Sequence, residues 1–277
     1  MSDDHTLQTP SALMPVLFVP HGGGPMPVLG EPNHAELVTF LKGVAATLPR
    51  PRAILVISAH WEESVATVSS ASSPAMFYDY YGFPPESYHF QYHASGDPVL
   101  AQQVVELLDE QGIDARLDAE RGYDHGTFVP LMLMYPAADI PVVQLSLVNS
   151  LNPAAQIALG KAIAPLREQG VLIVGSGMSF HNMQAFFSGN PSVKARSELF
   201  DIWLNDTLTN GYLENIDRES RLELWQAAPE ARFCHPREEH LLPLHVCFGA
   251  ASVASPHAER NFSGLLFNTY ISGFVWR

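Results

Sequence analysis

Cysteine is almost missing from this chain: Cys234 and Cys247 are the only two in 277 residues. Two isolated thiols make neither a zinc ribbon nor a disulfide framework, and they suit a reducing compartment. Basic residues are also scarce, 15 Lys and Arg against 29 Asp and Glu, for a formal net charge of −14. No basic footprint is available to displace counterions, which excludes nucleic acid as the partner. The same balance gives no attraction to an anionic membrane surface. No apolar run approaches the roughly 18 residues that a spanning helix needs. The opening "MSDDHTLQTPSA" is polar and acidic and has no leader-like apolar core, so the expected location is cytoplasmic.

Several catalytic motifs are absent too. There is no HExxH, hence no zinc-protease helix, and no GxSxG, hence no α/β-hydrolase nucleophile elbow. "HGGGPMP" (21–27) lacks the Lys-Ser/Thr end of a phosphate-binding loop and is not GxGxxG. Its glycines are expected to let the backbone pass close to a metal or ligand.

What the chain does have is histidine, twelve in all, in a composition that is 47% hydrophobic with 22 prolines. Apolar runs at 14–20, 53–58, 141–148 and 171–177 read as strands, that at 53–58 covered on both faces and that at 171–177 likewise buried. "VATVSS" (65–70) alternates and is expected to pair with the 53–58 strand as an antiparallel neighbour. Helical spacing appears at 34–48, 98–112, 125–136, 153–170, 192–228 with a break near Gly211, and 236–252. Strands alternating with helices predict a single α/β domain over 14–277, with a mainly parallel central sheet flanked by helices. Residues 1–13 read as a loose tail, and 71–97 as a long aromatic loop.

Three of the strands lead into histidine. "VLFVP" is followed by His21, "ILVIS" by His60 after one more residue, and "VLIVGSGMSF" by His181. Ligands of open α/β sheets bind at the carboxyl ends of the strands, so parallel strands can gather these imidazoles on one edge. His125 in "YDHGTF" and His240 in "PREEHLLP" join them as candidates at expected helix starts. His5, His34 and His257 lie in polar stretches and are expected at the surface, and His245 is expected in the core. His89 and His93 sit in the aromatic loop, where they either line a pocket or decorate it. Clustered imidazoles suit zinc, iron, copper or nickel.

"VPHGGGPMPVL", "ILVISAHW", "YDYYGFPPESY", "YDHGTFVPL", "PVVQLSLV", "SGMSFHN" and "HPREEHLLPL" follow one another in the order found in class III extradiol ring-cleavage dioxygenases. Over roughly residues 14–276 the chain resembles their 4,5-DOPA dioxygenase type, a branch related to the catalytic subunit of protocatechuate 4,5-dioxygenase. The resemblance implies a mononuclear non-haem Fe(II) site, with His21, His60 and His240 as metal ligands. Glu239 is the alternative third ligand, because the protocatechuate branch uses a glutamate. It further implies His181 as general base and His125 as a second acid/base or oxygen-orienting residue. The implied substrate is a small aromatic diol, taken with O2. Zn(II) is the other candidate metal, since members of the branch are seen with it. Tyr78, Tyr81 and Phe83 of the aromatic loop, with Phe77, Tyr80 and Tyr88 beside them, are expected to wall the substrate ring. One departure stands out: the family usually has proline after tyrosine in the segment matching "QYHASGDP", and here His93 takes that place.

A zinc-dependent hydrolase would use the same histidines to acidify a bound water. A metal-binding relative without activity is the non-enzymatic reading. Oligomeric state is not legible.

Overall fold

The computed structural model describes residues 13–277, so all of the expected tail but Leu13 lies outside the described residues. Four apolar runs become the interior strands of one eight-stranded sheet: β1 (Val16–Pro20), β2 (Ala53–Glu63), β5 (Val142–Val148) and β6 (Val171–Gly177). Four shorter or peripheral strands complete it on one side and the other: β3 (Ala66–Ser69) and β4 (Ala115–Asp118), then β7 (Glu259–Leu266) with β8 (Thr269–Trp276). The spatial order is β4-β3-β5-β2-β6-β1-β8-β7. The β5-β2-β6-β1 core is parallel throughout, as the α/β pattern of the sequence requires. Every residue of β1 and β6 is buried, which is why these strands read as continuous apolar runs instead of alternating ones.

Side chains alternate across β6 and show which helices cover which face. Gly175 abuts Pro243 and Cys247 of the helix Leu242–Ala251, whereas the Ser176 hydroxyl donates to the carbonyl of Gly126 in the helix His125–Met134. These two helices therefore lie on opposite faces. The first packs beside the helix Pro153–Ile163, the second beside the helix Ala35–Val44. Helix starts follow ordinary capping chemistry. Asp97, Asp124 and Asn152 each accept from a backbone N–H three residues on, and Pro98 and Pro153 fill the first turn where no donor is needed. Among the described residues no helix is long and apolar enough to cross a membrane.

Three expectations are corrected, and one strand is added. β3 pairs antiparallel with β5 and parallel with β4, not with β2, because β2 is flanked on both sides by β5 and β6. β4 itself, the short half-exposed segment "ARLD", carries no apolar run to announce it. β2 does not stop before His60 but continues to Glu63, with its register against β5 broken between Ile57 and Glu62. The last helix begins at Leu242, so residues 236–241 form a turn that approaches the sheet end. Other helical runs shorten as well, and Pro165 ends the α-helix Pro153–Ile163 in a 3-10 turn over Ala164–Gln169.

Candidate active site

His21 is delivered by β1, one residue past its end, and its N–H bonds the Gly177 carbonyl at 3.1 Å. His60 lies in the stretch of β2 that has lost its pairing to β5, and beyond its last pairing with β6 at Ser58. An unpaired bulge of this kind re-aims a side chain. His181 follows β6, its N–H held by the Cys234 carbonyl at 2.9 Å. His125 is the first residue of its helix, with its N–H on Asp79 Oδ1 at 2.9 Å. His240 sits in the turn before Leu242, and its carbonyl accepts from Met178 N–H at 2.9 Å.

The five rings meet. His60 Nε2 lies 3.2 Å from His21 Nε2 and 3.3 Å from His240 Nε2. His125 lies against His60 at 3.8 Å between ring centroids, and His181 stacks on His240 at 3.4 Å and 13°. Their Nδ1 atoms face outward to acceptors. Ser176 spends its proton on the Gly126 carbonyl, so its oxygen accepts from His21 Nδ1–H at 3.1 Å. Glu239 Oε1 accepts from His240 Nδ1–H at 2.9 Å and stands 3.5 Å from His181 Nδ1. Asp79 takes His125 Nδ1–H at 2.9 Å, with its other oxygen 3.5 Å from His60 Nδ1.

This tautomer pattern leaves the Nε2 lone pairs of His21, His60 and His240 converging. One shared proton cannot serve three nitrogens that lie within 4.8 Å of one another. A divalent cation can, and a set of three imidazoles on one side of a cavity suits a transition ion with open positions. Charge is arranged the same way. Burial, then the neighbouring His240, holds His21 well below the usual imidazole pKa. Burial, then His125, does so for His60, and burial with His181 brings His240 down to about 4. Neutral rings are the form that ligates metal. Burial alone would raise Glu239, yet the bonds from His181 and His240 outweigh it and hold the carboxyl well below its usual range. Glu239 thus stands behind His240, on the far side from the group of three nitrogens.

The rings form the floor of a cavity of about 430 Å³. The glycine turn after His21 forms one wall. Gly22 has φ +81°, and a Cβ there would meet His34 Cδ2 at 2.8 Å. His34 is completely buried, contrary to the surface position expected for it. Its Nε2 accepts from Gly23 N–H at 3.0 Å and its Nδ1–H donates to Glu31 at 2.6 Å, so the polar neighbours in sequence are its partners. Tyr80, Tyr81 and Phe83 line the cavity from the aromatic loop. Tyr78, named as a ring-walling residue, lies outside it: its hydroxyl donates to the Phe90 carbonyl and its ring packs on Phe128. His89 and His93 are exposed and off the cavity, whereas His245 is core, its Nε2–H on the Leu222 carbonyl. Phe186, Phe187 and Phe267 make an aromatic wall that no sequence motif marked.

Gly177 is what lets the 240 turn close on the sheet, since a Cβ there would lie 2.2 Å from the His240 carbonyl oxygen. Gly177→Ala should displace His240, cost about 1–3 kcal/mol of stability as an overpacked core site does, and lower metal affinity. Denaturant melts and metal titration check this. Unchanged values of both would show that the turn has slack.

The residues 17–272 match the family model described as the catalytic LigB subunit of aromatic ring-opening dioxygenase. A 4,5-DOPA dioxygenase extradiol of Beta vulgaris is 40% identical over 261 residues, covering 93% of this chain and 92% of that protein. Dioxygenase tasH of Hapsidospora irregularis is 40% identical over 263 residues, covering 88% and 80% of the two chains. The crystal structure of an uncharacterised Escherichia coli K12 protein superposes with a TM-score of 0.75 at 31% identity, covering 95% of this chain and 99% of that one. With its histidine cluster at the sheet's carboxyl edge and this match over nearly its whole length, the chain belongs to the LigB family of aromatic ring-opening dioxygenases and is an extradiol enzyme.

Proposed function

We propose that the chain opens the ring of a catechol-type substrate with O2 in an iron(II)-dependent reaction. The carrying observation is the convergence of three Nε2 atoms beside two further histidines at the foot of an aromatic cavity. His21, His60 and His240 would hold the metal. Iron(II) there would acidify a chelated diol and let its electron density reach O2, with both oxygen atoms ending in the ring-opened semialdehyde acid.

The protein's own groups supply binding, orientation and proton transfer. His181 has its Nδ1 toward Glu239, so its Nε2 is the atom to accept a proton from the substrate hydroxyl. His125 is fixed by two bonds to one oxygen of Asp79, through its backbone and its ring. Once its Nε2 has taken the proton of the diol's second hydroxyl, that fixed ring orients O2 and returns the proton as the two oxygen atoms separate. Tyr80 contributes a ring and not an acid. Its hydroxyl is bound to the Ser87 carbonyl at 2.6 Å, and burial pushes its pKa to about 12. The apolar walls keep bulk water from the reacting atoms.

Metal-stripped protein reloaded anaerobically with Fe(II), and in parallel with Zn(II), tests the reading. Only the iron form should take up O2 with a catechol and form a coloured product. Zinc cannot exchange electrons with O2, so hydrolysis of an ester or amide by the zinc form, with no uptake by the iron form, would replace ring opening with hydrolysis.

A further inference from the structure

The cavity that holds the diol also has to hold whatever else the ring carries. Among the described residues its walls contain no lysine and no arginine. Residues 1–12 contain none either. The nearby cations are committed elsewhere. Arg121 binds Asp124 at 2.6 Å and lies over the Trp61 and Phe77 rings, and Arg237 grips both oxygens of Glu62 at 2.6 Å and pairs with Glu239 Oε2 at 3.2 Å, behind the histidines. Beyond the histidine floor and the carboxylate of Asp79, which already binds His125, the lining is the glycine turn, Met, Phe, Leu and the rings of the aromatic loop. Phe187 and Met183 are more than half exposed, at 62% and 55%, which places them at the mouth. Phe187 stands 5.4 Å from Phe267 and 6.4 Å from Phe186, and Phe83 faces Tyr80 edge-on at 5.5 Å across the glycine turn. The hydroxyl of Tyr80 and the N–H of Gly23, two polar atoms that would otherwise serve a ligand, are both used within the protein.

We infer that the preferred substrate is a catechol whose ring substituent is uncharged and apolar, such as an alkyl or aryl group, and not one bearing a carboxylate or a zwitterionic side chain. This deepens the ring-opening reading and rests on it. A carboxylate brought among these walls would lose its hydration and gain no cation. The overall charge of −14 opposes it at longer range. An alkyl chain would instead be covered by Phe83, Met183, Phe186, Phe187 and Phe267, and removing apolar surface from water is favourable.

The test compares catechol, 4-butylcatechol, 3,4-dihydroxybenzoate and DOPA on the iron-loaded protein. Equilibrium binding of the same four compounds is measured anaerobically on the zinc-loaded protein, so that affinity is read without turnover. The expected result is a kcat/KM and a binding constant for 4-butylcatechol at least about 100-fold better than for the dihydroxybenzoate, within the range that one or two methylenes in an apolar pocket can supply. Met183→Lys places an ammonium at the mouth and should shift this ratio at least about tenfold toward the carboxylated compound, by forming the ion pair now missing. Equal or better binding of dihydroxybenzoate or DOPA by the unaltered protein would overturn the inference. Discrimination in binding with no O2 uptake from any of the four would uphold the inferred cavity chemistry and sink the ring-opening reading instead.

Discussion

His60→Ala should yield a folded protein that retains no stoichiometric metal and no ring-opening activity. His60 is the hub of the cluster: its Nε2 is within 3.3 Å of both other Nε2 atoms, and its ring also lies against His125. The fold asks little of it. The residue belongs to the stretch of β2 released from β5, and its side chain is 21% exposed. Without metal its removal even separates neutral rings whose lone pairs face one another. The effect should therefore appear in metal linkage and not in the metal-free melt. A metal at 100 times its Kd stabilises the native state by about 2.7 kcal/mol, which for a chain of this size is a rise of several degrees in Tm. Unaltered protein should show that rise with Fe(II) or Zn(II), and His60→Ala should show none. Metal analysis of the purified variant is the direct check, and full occupancy would remove His60 from the ligand set.

Much of this site was legible because buried parallel strands leave unbroken apolar runs, and a polar residue just past such a run marks the sheet's carboxyl edge. His21 and His181 follow that rule. His60 follows it only in part, since hydrogen bonding carries β2 past it to Glu63. His240 is visible as a residue, but the pattern over 236–252 puts it on a helix. Pro243 in the first helical turn was the available signal that the helix starts after it. Of the carboxylate partners, Glu239 is marked by its place beside His240, but Asp79 is not legible. Asp79 sits 46 residues from His125 in a loop with no periodicity, and only the folded chain brings it to two imidazoles. The same lack of periodicity hid which rings of the aromatic loop face inward, so that Tyr80 lines the cavity and Tyr78 does not. Ser176 reads as one polar interruption in a strand, yet its hydroxyl sets the tautomer of His21. Charge and polarity near His34 suggested solvent, whereas Glu31 is the internal partner that makes its complete burial possible.

His181→Ala should separate proton transfer from metal binding, with metal retained and turnover lost. The ring lies flat on His240, so it touches a proposed ligand without offering its own nitrogen to the group of three. Its Nδ1 is oriented by Glu239, and its side chain remains 22% exposed beside the substrate space. General base catalysis of this type contributes about 10²–10⁴-fold, so kcat/KM should fall by that factor. Metal content and the metal-induced rise in Tm should stay at the level of the unaltered protein. Binding of catechol in the anaerobic zinc form should change only a few-fold, because the diol is held by the metal and the walls. His181→Gln discriminates further: an amide can fill the space over His240 and hydrogen-bond, but it cannot take up a proton. If glutamine restored the rate, His181 would be a spacer that keeps His240 upright. If glutamine were as slow as alanine while both variants kept their metal, the defect would lie in the proton itself. Loss of metal from both variants would instead make the stack on His240 a structural support of the third ligand, and the base would have to be sought at His125.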